Sequence, residues 1–120
     1  MDRLEKFYTA MGADVNDVVS RLGGSPALVE RFLGKFSKDE SFDKLKAALD
    51  CDDTPTAFRE AHTLKGLCAN LGMQRLFKQA SDVTELLRAG NLTEAKLAFP
   101  AVDAEYKIAL EALAELEASK

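Results

Sequence analysis

The run Thr54-Pro55-Thr56-Ala57-Phe58-Arg59-Glu60-Ala61-His62-Thr63-Leu64-Lys65-Gly66-Leu67-Cys68-Ala69-Asn70-Leu71-Gly72 reads as one amphipathic helix. Thr54-Pro55 is a capping residue followed by proline at the first helical position, and Gly72 is a natural residue to end on, so the spacing predicts a helix over Pro55 to Leu71. At about 100° per residue, Ala57, Ala61, Leu64, Leu67, Cys68 and Leu71 fall on one broad side, and His62, Lys65, Gly66 and Ala69 fall on the other. The apolar side must be buried against other elements. The only histidine of the chain therefore points away from the core, with a lysine three residues on and a glycine four residues on.

The punctuation on either side of this helix is also helical. Leu4 to Met11 is a short leading helix stopped by Gly12, and Asn16 to Leu22 is another stopped by Gly23-Gly24. Ser25-Pro26 repeats the cap-plus-proline start and leads into Leu28, Val29, Phe32, Leu33 and Phe36, a series expected to run on, bent near Lys38-Asp39, into Phe42, Leu45, Ala48 and Leu49. Beyond Gly72, Leu76, Ala80, Val83 and Leu87 form a stripe that lasts to Gly90. Asn91 or Thr93 opens the last helix, which Pro100 is expected to kink or start afresh. Sustained alternation and Asn-Gly or Asp-Gly hairpin turns are missing, so strands are not expected. The predicted fold is all-α: an antiparallel four-helix bundle with one or two additional short N-terminal helices packed across one end, in a single domain over residues 1–120.

Composition agrees and narrows the function. The chain has 120 residues, 47% of them hydrophobic and 30% charged, which fits one globular core and neither a disordered nor a membrane-embedded chain. No apolar run approaches the roughly 18 residues that cross a bilayer, and Met1-Asp2-Arg3-Leu4-Glu5-Lys6 lacks the pattern of a signal peptide, so the expected location is the cytoplasm. A formal charge of -4 with no basic cluster argues against nucleic acid as a partner. Cys51 and Cys68 are too far apart for a CxxC pair, and one histidine cannot complete a Cys/His metal site. Among the seven glycines there is neither a G-x-G-x-x-G nor a P-loop pattern, so ATP is not expected to bind and no cofactor is expected.

The exposed group has a chemical logic of its own. Imidazole, with an ordinary pKa of about 6.5, is substantially neutral near pH 7 and still strongly nucleophilic. Lys65 would face an incoming phosphate, which brings about -1.5 to -2 units of charge. A pair of unit charges at about 4 Å gains about 1 kcal/mol in bulk water and about 4 at an effective dielectric of 20, so the lysine matters most once a partner excludes water. Gly66 in mid-helix costs about 1 kcal/mol relative to alanine, a cost that close approach of a partner or of the phosphoryl group would offset. Taken singly, each residue also has a plainer reading: an incidental surface histidine, a solvated lysine, a glycine that lets helices pack closely. Phe58, one turn before His62, is either an apolar anchor for a partner or a packing residue, and Cys68 is a small core residue.

The run Ala61-His62-Thr63-Leu64-Lys65-Gly66, continued by Ala69-Asn70-Leu71-Gly72, resembles the signature of histidine-containing phosphotransfer (HPt) domains. The segment Asp14 to Arg31, with Arg21-Leu22-Gly23-Gly24 inside it, is similar to that family's usual N-terminal portion. The resemblance implies that His62 accepts the phosphoryl group, that Lys65 stabilises it and that Gly66 admits the partner. It also implies partners, namely the receiver domains of a hybrid histidine kinase and of a response regulator, with Mg²⁺ expected only in the partner receiver. The protein itself would be a carrier without kinase activity. Two positions depart from the family: Leu67 stands where many relatives have a small residue, and Thr84 aligns with a glutamine that in some members hydrogen-bonds the histidine ring. Arg75, Lys78 and Gln79 on the following helix are candidate partner contacts.

Other readings make different demands. The phosphotransfer module of a chemotaxis-type kinase would need a kinase in the same protein, and the length of the chain favours a free-standing carrier. An adaptor bundle would use an exposed apolar patch and leave His62 incidental. A hydrolase pairing His62 with Glu60 would need two residues that point in different directions on a helix to meet. A self-contained set of helices with no spare heptad seam predicts a monomer.

Overall fold

The computed structural model describes residues 2–119, and among them every regular element is a helix. In chain order these are α1 (Arg3–Met11), α2 (Val15–Arg21), α3 (Pro26–Phe36), α4 (Ser41–Asp50), α5 (Thr54–Leu71), α6 (Gln74–Arg88) and α7 (Leu92–Ala118). Most starts are capped as their sequence suggests. Ser25 accepts the Leu28 N–H through its hydroxyl at 3.3 Å, and the Asn91 side chain accepts the Glu94 N–H at 3.3 Å. Asn91, and not Thr93, therefore opens α7.

Three local expectations need correction. The segment that begins at Pro26 does not bend and continue: α3 ends at Phe36 and α4 begins at Ser41. The break is held by Asp39, whose carboxylate takes the Ser41 N–H at 2.8 Å and also the Ser41 hydroxyl. Three short helices thus precede α4, one more than expected. Pro100 does not restart the last helix, which runs through it from Leu92 to Ala118. A proline costs a mid-helix hydrogen bond, but Ala95 and Val102 on either side of it are fully buried and tie both halves to the same core. Finally, Thr54 is the first residue of α5 and not its cap; Asp53 fills that role by accepting the Thr56 N–H at 3.2 Å.

The four longer-range partners pack in series, α4 on α5, α5 on α6 and α6 on α7. The Phe42 ring of α4 closes the set by stacking on Tyr106 of α7 at 3.9 Å and on Phe99 at 5.5 Å. Leu45, Leu64, Leu76, Val83 and Val102 are almost completely buried between these helices. The N-terminal helices cover the end where α5 turns into α6. Tyr8, fully buried, donates its hydroxyl to the Leu71 carbonyl at 2.8 Å, and burial pushes its ionisation well above the usual tyrosine range. α2 seats against the same turn: a Cβ at Gly72, where φ is 71°, would lie 2.4 Å from Val18 Cγ2. The far end of α1 reaches α7, where Arg3 donates to the Leu116 carbonyl at 3.1 Å.

Candidate functional site

α5 is fixed at both ends and divided along its length. Asp53 caps the start, and the end closes in a Schellman motif, with Gly72 N–H on the Ala69 carbonyl at 3.4 Å and Met73 N–H on the Cys68 carbonyl at 3.0 Å. Ala57, Ala61, Leu64, Cys68 and Leu71 are buried, as their spacing predicts. Leu67 is only half-buried and lines a groove of about 290 Å³ together with Leu22, Phe32, Lys35 and Asn70, so it borders the core without completing it. Burial pushes the Cys68 thiol up to about 12, in keeping with a packing role.

His62 stands on the opposite side, exposed to solvent, and Gly66 is exposed one turn further on. A Cβ built at Gly66 meets nothing within 4 Å, so close packing inside this chain does not explain the glycine. Lys65 lies partly against α6, its side chain 28% exposed, with Nζ 3.9 Å from Glu85 Oε2. Phe58 is half-buried and its ring centre is 6.0 Å from that of His62. The Arg88 guanidinium lies over the Phe58 ring, 5.0 Å from its centre, and Arg88 is also paired with Glu85 at 3.1 Å. The site thus brings together His62, Lys65, Gly66 and Phe58 of α5 with Glu85 and Arg88 of α6.

Glu85 and Arg88 were not legible as site residues. By sequence they are an ordinary i, i+3 ion pair on a solvated face, and only the register of α6 against α5 makes them neighbours of Lys65 and Phe58. Other candidates lie elsewhere. Thr84 is fully buried and donates its hydroxyl to the Ala80 carbonyl at 2.7 Å, so it cannot stand in for a ring-orienting glutamine. Arg75 is drawn to Glu105 of α7 at 3.1 Å and Lys78 to Asp82 of its own helix at 3.1 Å, and Gln79 is half-buried. Glu60 pairs with Arg59 at 3.4 Å, and its side chain is 13% exposed.

Chemically, a solvent-facing imidazole offers a nucleophilic lone pair, and two cations, Lys65 one turn along α5 and Arg88 reaching over the Phe58 ring from α6, are placed to meet the charge of a phosphoryl group. Among the described residues no cluster of His, Cys, Asp and Glu could hold a metal ion, and no helix is long and apolar enough to cross a membrane. No curated protein and no solved structure matches the chain significantly. The Hpt domain family model matches residues 27–118, from the start of α3 to the end of α7, and the chain therefore belongs to the Hpt domain family, whose work is histidine phosphotransfer in phosphorelay signalling.

Proposed function

We propose that this chain carries a phosphoryl group on His62 between receiver-domain aspartates, accepting it from the receiver of a hybrid histidine kinase and delivering it to a response regulator. The observation that supports this reading best is the exposed imidazole at the middle of α5 beside the open surface over Gly66. On this reading the lone pair of the unprotonated ring nitrogen forms the P–N bond as the P–O bond to the donor aspartate breaks, and the electron pair leaves on that carboxylate. The N–H proton stays on the other ring nitrogen. Delivery is the reverse step on a second receiver, with imidazole as the leaving group. Lys65 meets the phosphoryl charge, and Gly66 leaves room for the visiting domain.

Hpt domains are phosphocarrier modules rather than catalysts, and we assign this one no kinase activity of its own. The Mg²⁺ that assists transfer would sit in the acidic pocket of the receiver. We read α4 to α7 as an antiparallel four-helix bundle on the strength of their serial packing and the short turns between them. The protein is taken to act as a cytoplasmic monomer in one domain. The test is incubation with a panel of receiver domains carrying radiolabelled aspartyl phosphate. Wild type should acquire an acid-labile, base-stable phosphate and His62→Gln should acquire none. Label that survives His62→Gln would place the phosphate elsewhere, and a wild type that no receiver labels would turn the reading toward a helical adaptor.

A further inference from the structure

Among the described residues, Glu85 is the acidic residue in contact with both cations of the His62 face. Its Oε2 lies 3.9 Å from Lys65 Nζ, and its two oxygens accept from Arg88 Nε at 3.1 and 3.4 Å. It projects from α6 with its side chain 55% exposed, so it is not there to fill the core. Arg88 in turn lies over Phe58, whose ring adjoins that of His62. The carboxylate therefore ties back the two positive groups that an incoming phosphoryl group would draw on.

Resting on the carrier reading, we propose that Glu85 is a positioning residue for phosphoryl transfer: by holding Lys65 and Arg88 it limits how much of the phosphoryl charge the carrier neutralises, and so keeps phosphohistidine easy to discharge. When the phosphoryl group arrives, with about -1.5 to -2 units of charge, Lys65 and Arg88 must divide themselves between it and Glu85. A carrier that gave both cations wholly to the phosphate would stabilise its loaded form and pass it on less completely. A carrier with no cation would load poorly. Glu85 sets the balance between the two.

The reaction itself is unchanged: the P–N bond to His62 breaks as the P–O bond to the receiver aspartate forms, and the imidazole leaves with its electron pair. What moves is the distribution of phosphoryl groups at equilibrium. In dilute solution that distribution depends on the free proteins in their loaded and unloaded states and not on how well they dock, so improved docking after loss of a negative charge cannot imitate the effect.

The full chain is loaded chemically at histidine with phosphoramidate and mixed with a receiver domain whose aspartyl phosphate outlasts the transfer. Glu85→Gln, which keeps the side-chain shape and removes the charge, should raise the ratio of label on the carrier to label on the receiver by roughly two- to fivefold, the range of an exposed ion pair. The same substitution in a Lys65→Gln, Arg88→Gln background should leave the ratio unmoved, because the residues through which Glu85 acts are gone. A ratio for Glu85→Gln equal to that of wild type overturns the proposal, as does a shift of full size in the triple variant. If phosphoramidate labels wild type but not at His62, the carrier reading fails; if His62 is labelled and Glu85→Gln changes nothing, only the role of Glu85 fails.

Discussion

Replacing Gly66 by alanine should make the folded protein more stable and the carrier worse. Glycine inside an exposed helix costs about 1 kcal/mol relative to alanine because it restricts an otherwise freer chain. At Gly66 nothing opposes the gain, since the residue is solvent-facing, lies within the 18-residue span of α5 and, apart from the backbone of its own helix and its chain neighbours, has nothing within 4 Å of where the new methyl would go. With a urea dependence of about 1–3 kcal/mol per molar, a gain of about 1 kcal/mol raises the denaturation midpoint by roughly 0.3–1 M. Gly34 supplies the control. It too lies inside a helix, α3, with nothing within 4 Å of its Cβ position, and it sits beside Arg31 and Glu117, away from His62. Gly34→Ala should give a similar rise in midpoint and transfer phosphate at the wild-type rate. Gly66→Ala should transfer more slowly, and Gly66→Leu should slow transfer on the order of tenfold to a hundredfold, the scale of a misplacement of about 1 Å at a reacting centre. A Gly66→Ala protein that melts at lower urea would show that the glycine serves internal packing after all. A Gly66→Leu protein that transfers like wild type would show that no partner needs the gap.

The two sides of α5 should respond differently to truncation: Leu64→Ala, at a residue 1% exposed, should cost roughly 2–5 kcal/mol in a urea melt, whereas His62→Gln should leave the melt almost unchanged and abolish labelling. The cap of α5 should show in the acid limb of stability. The side-chain and backbone hydrogen bonds of Thr56 hold the Asp53 carboxyl below its ordinary value of 3.8, so its contribution is complete above that value and is lost as pH falls through the lower, folded-state one. Asp53→Asn should therefore flatten the loss of stability below about pH 4, read as the urea midpoint against pH, while leaving the slope at neutral pH unchanged.

The sequence was most legible where one residue type serves a local purpose. Ser25 and Asn91 cap helices because a short side-chain oxygen reaches the free N–H groups of the next turn, and Gly72 ends α5 because its φ of 71° suits glycine. The two sides of α5 could be separated because alanine, leucine and cysteine recur at helical spacing on one side and hardly at all on the other. Legibility failed where the residue type does not announce the role. Asp39 holds the start of α4 in a break that neither glycine nor proline marks. Thr84 looks like any polar helix residue, yet its hydroxyl is satisfied at the Ala80 carbonyl and its place is inside. Glu85 and Arg88 acquire their interest only from the register between α5 and α6, which no single-helix periodicity contains.

That register also bears on why a carrier would keep its histidine in mid-helix. A nucleophile on a loop can be placed differently by each partner, whereas the backbone around His62 is held by a cap at Asp53, a Schellman turn at Gly72 and the Tyr8 hydroxyl on Leu71. On the proposed carrier reading, donor and acceptor receivers would then meet the same imidazole at the same height above the same open surface. Transfer in and transfer out are one reaction run in opposite directions, so a geometry that suits the first suits the second. Stiffness of the frame is thus compatible with service to two partners, provided the site itself does not hold the phosphoryl group too well. The frame can set position but not that affinity, which must be adjusted by charge, and Glu85, whose carboxylate touches both Lys65 and Arg88, is where such an adjustment is physically available.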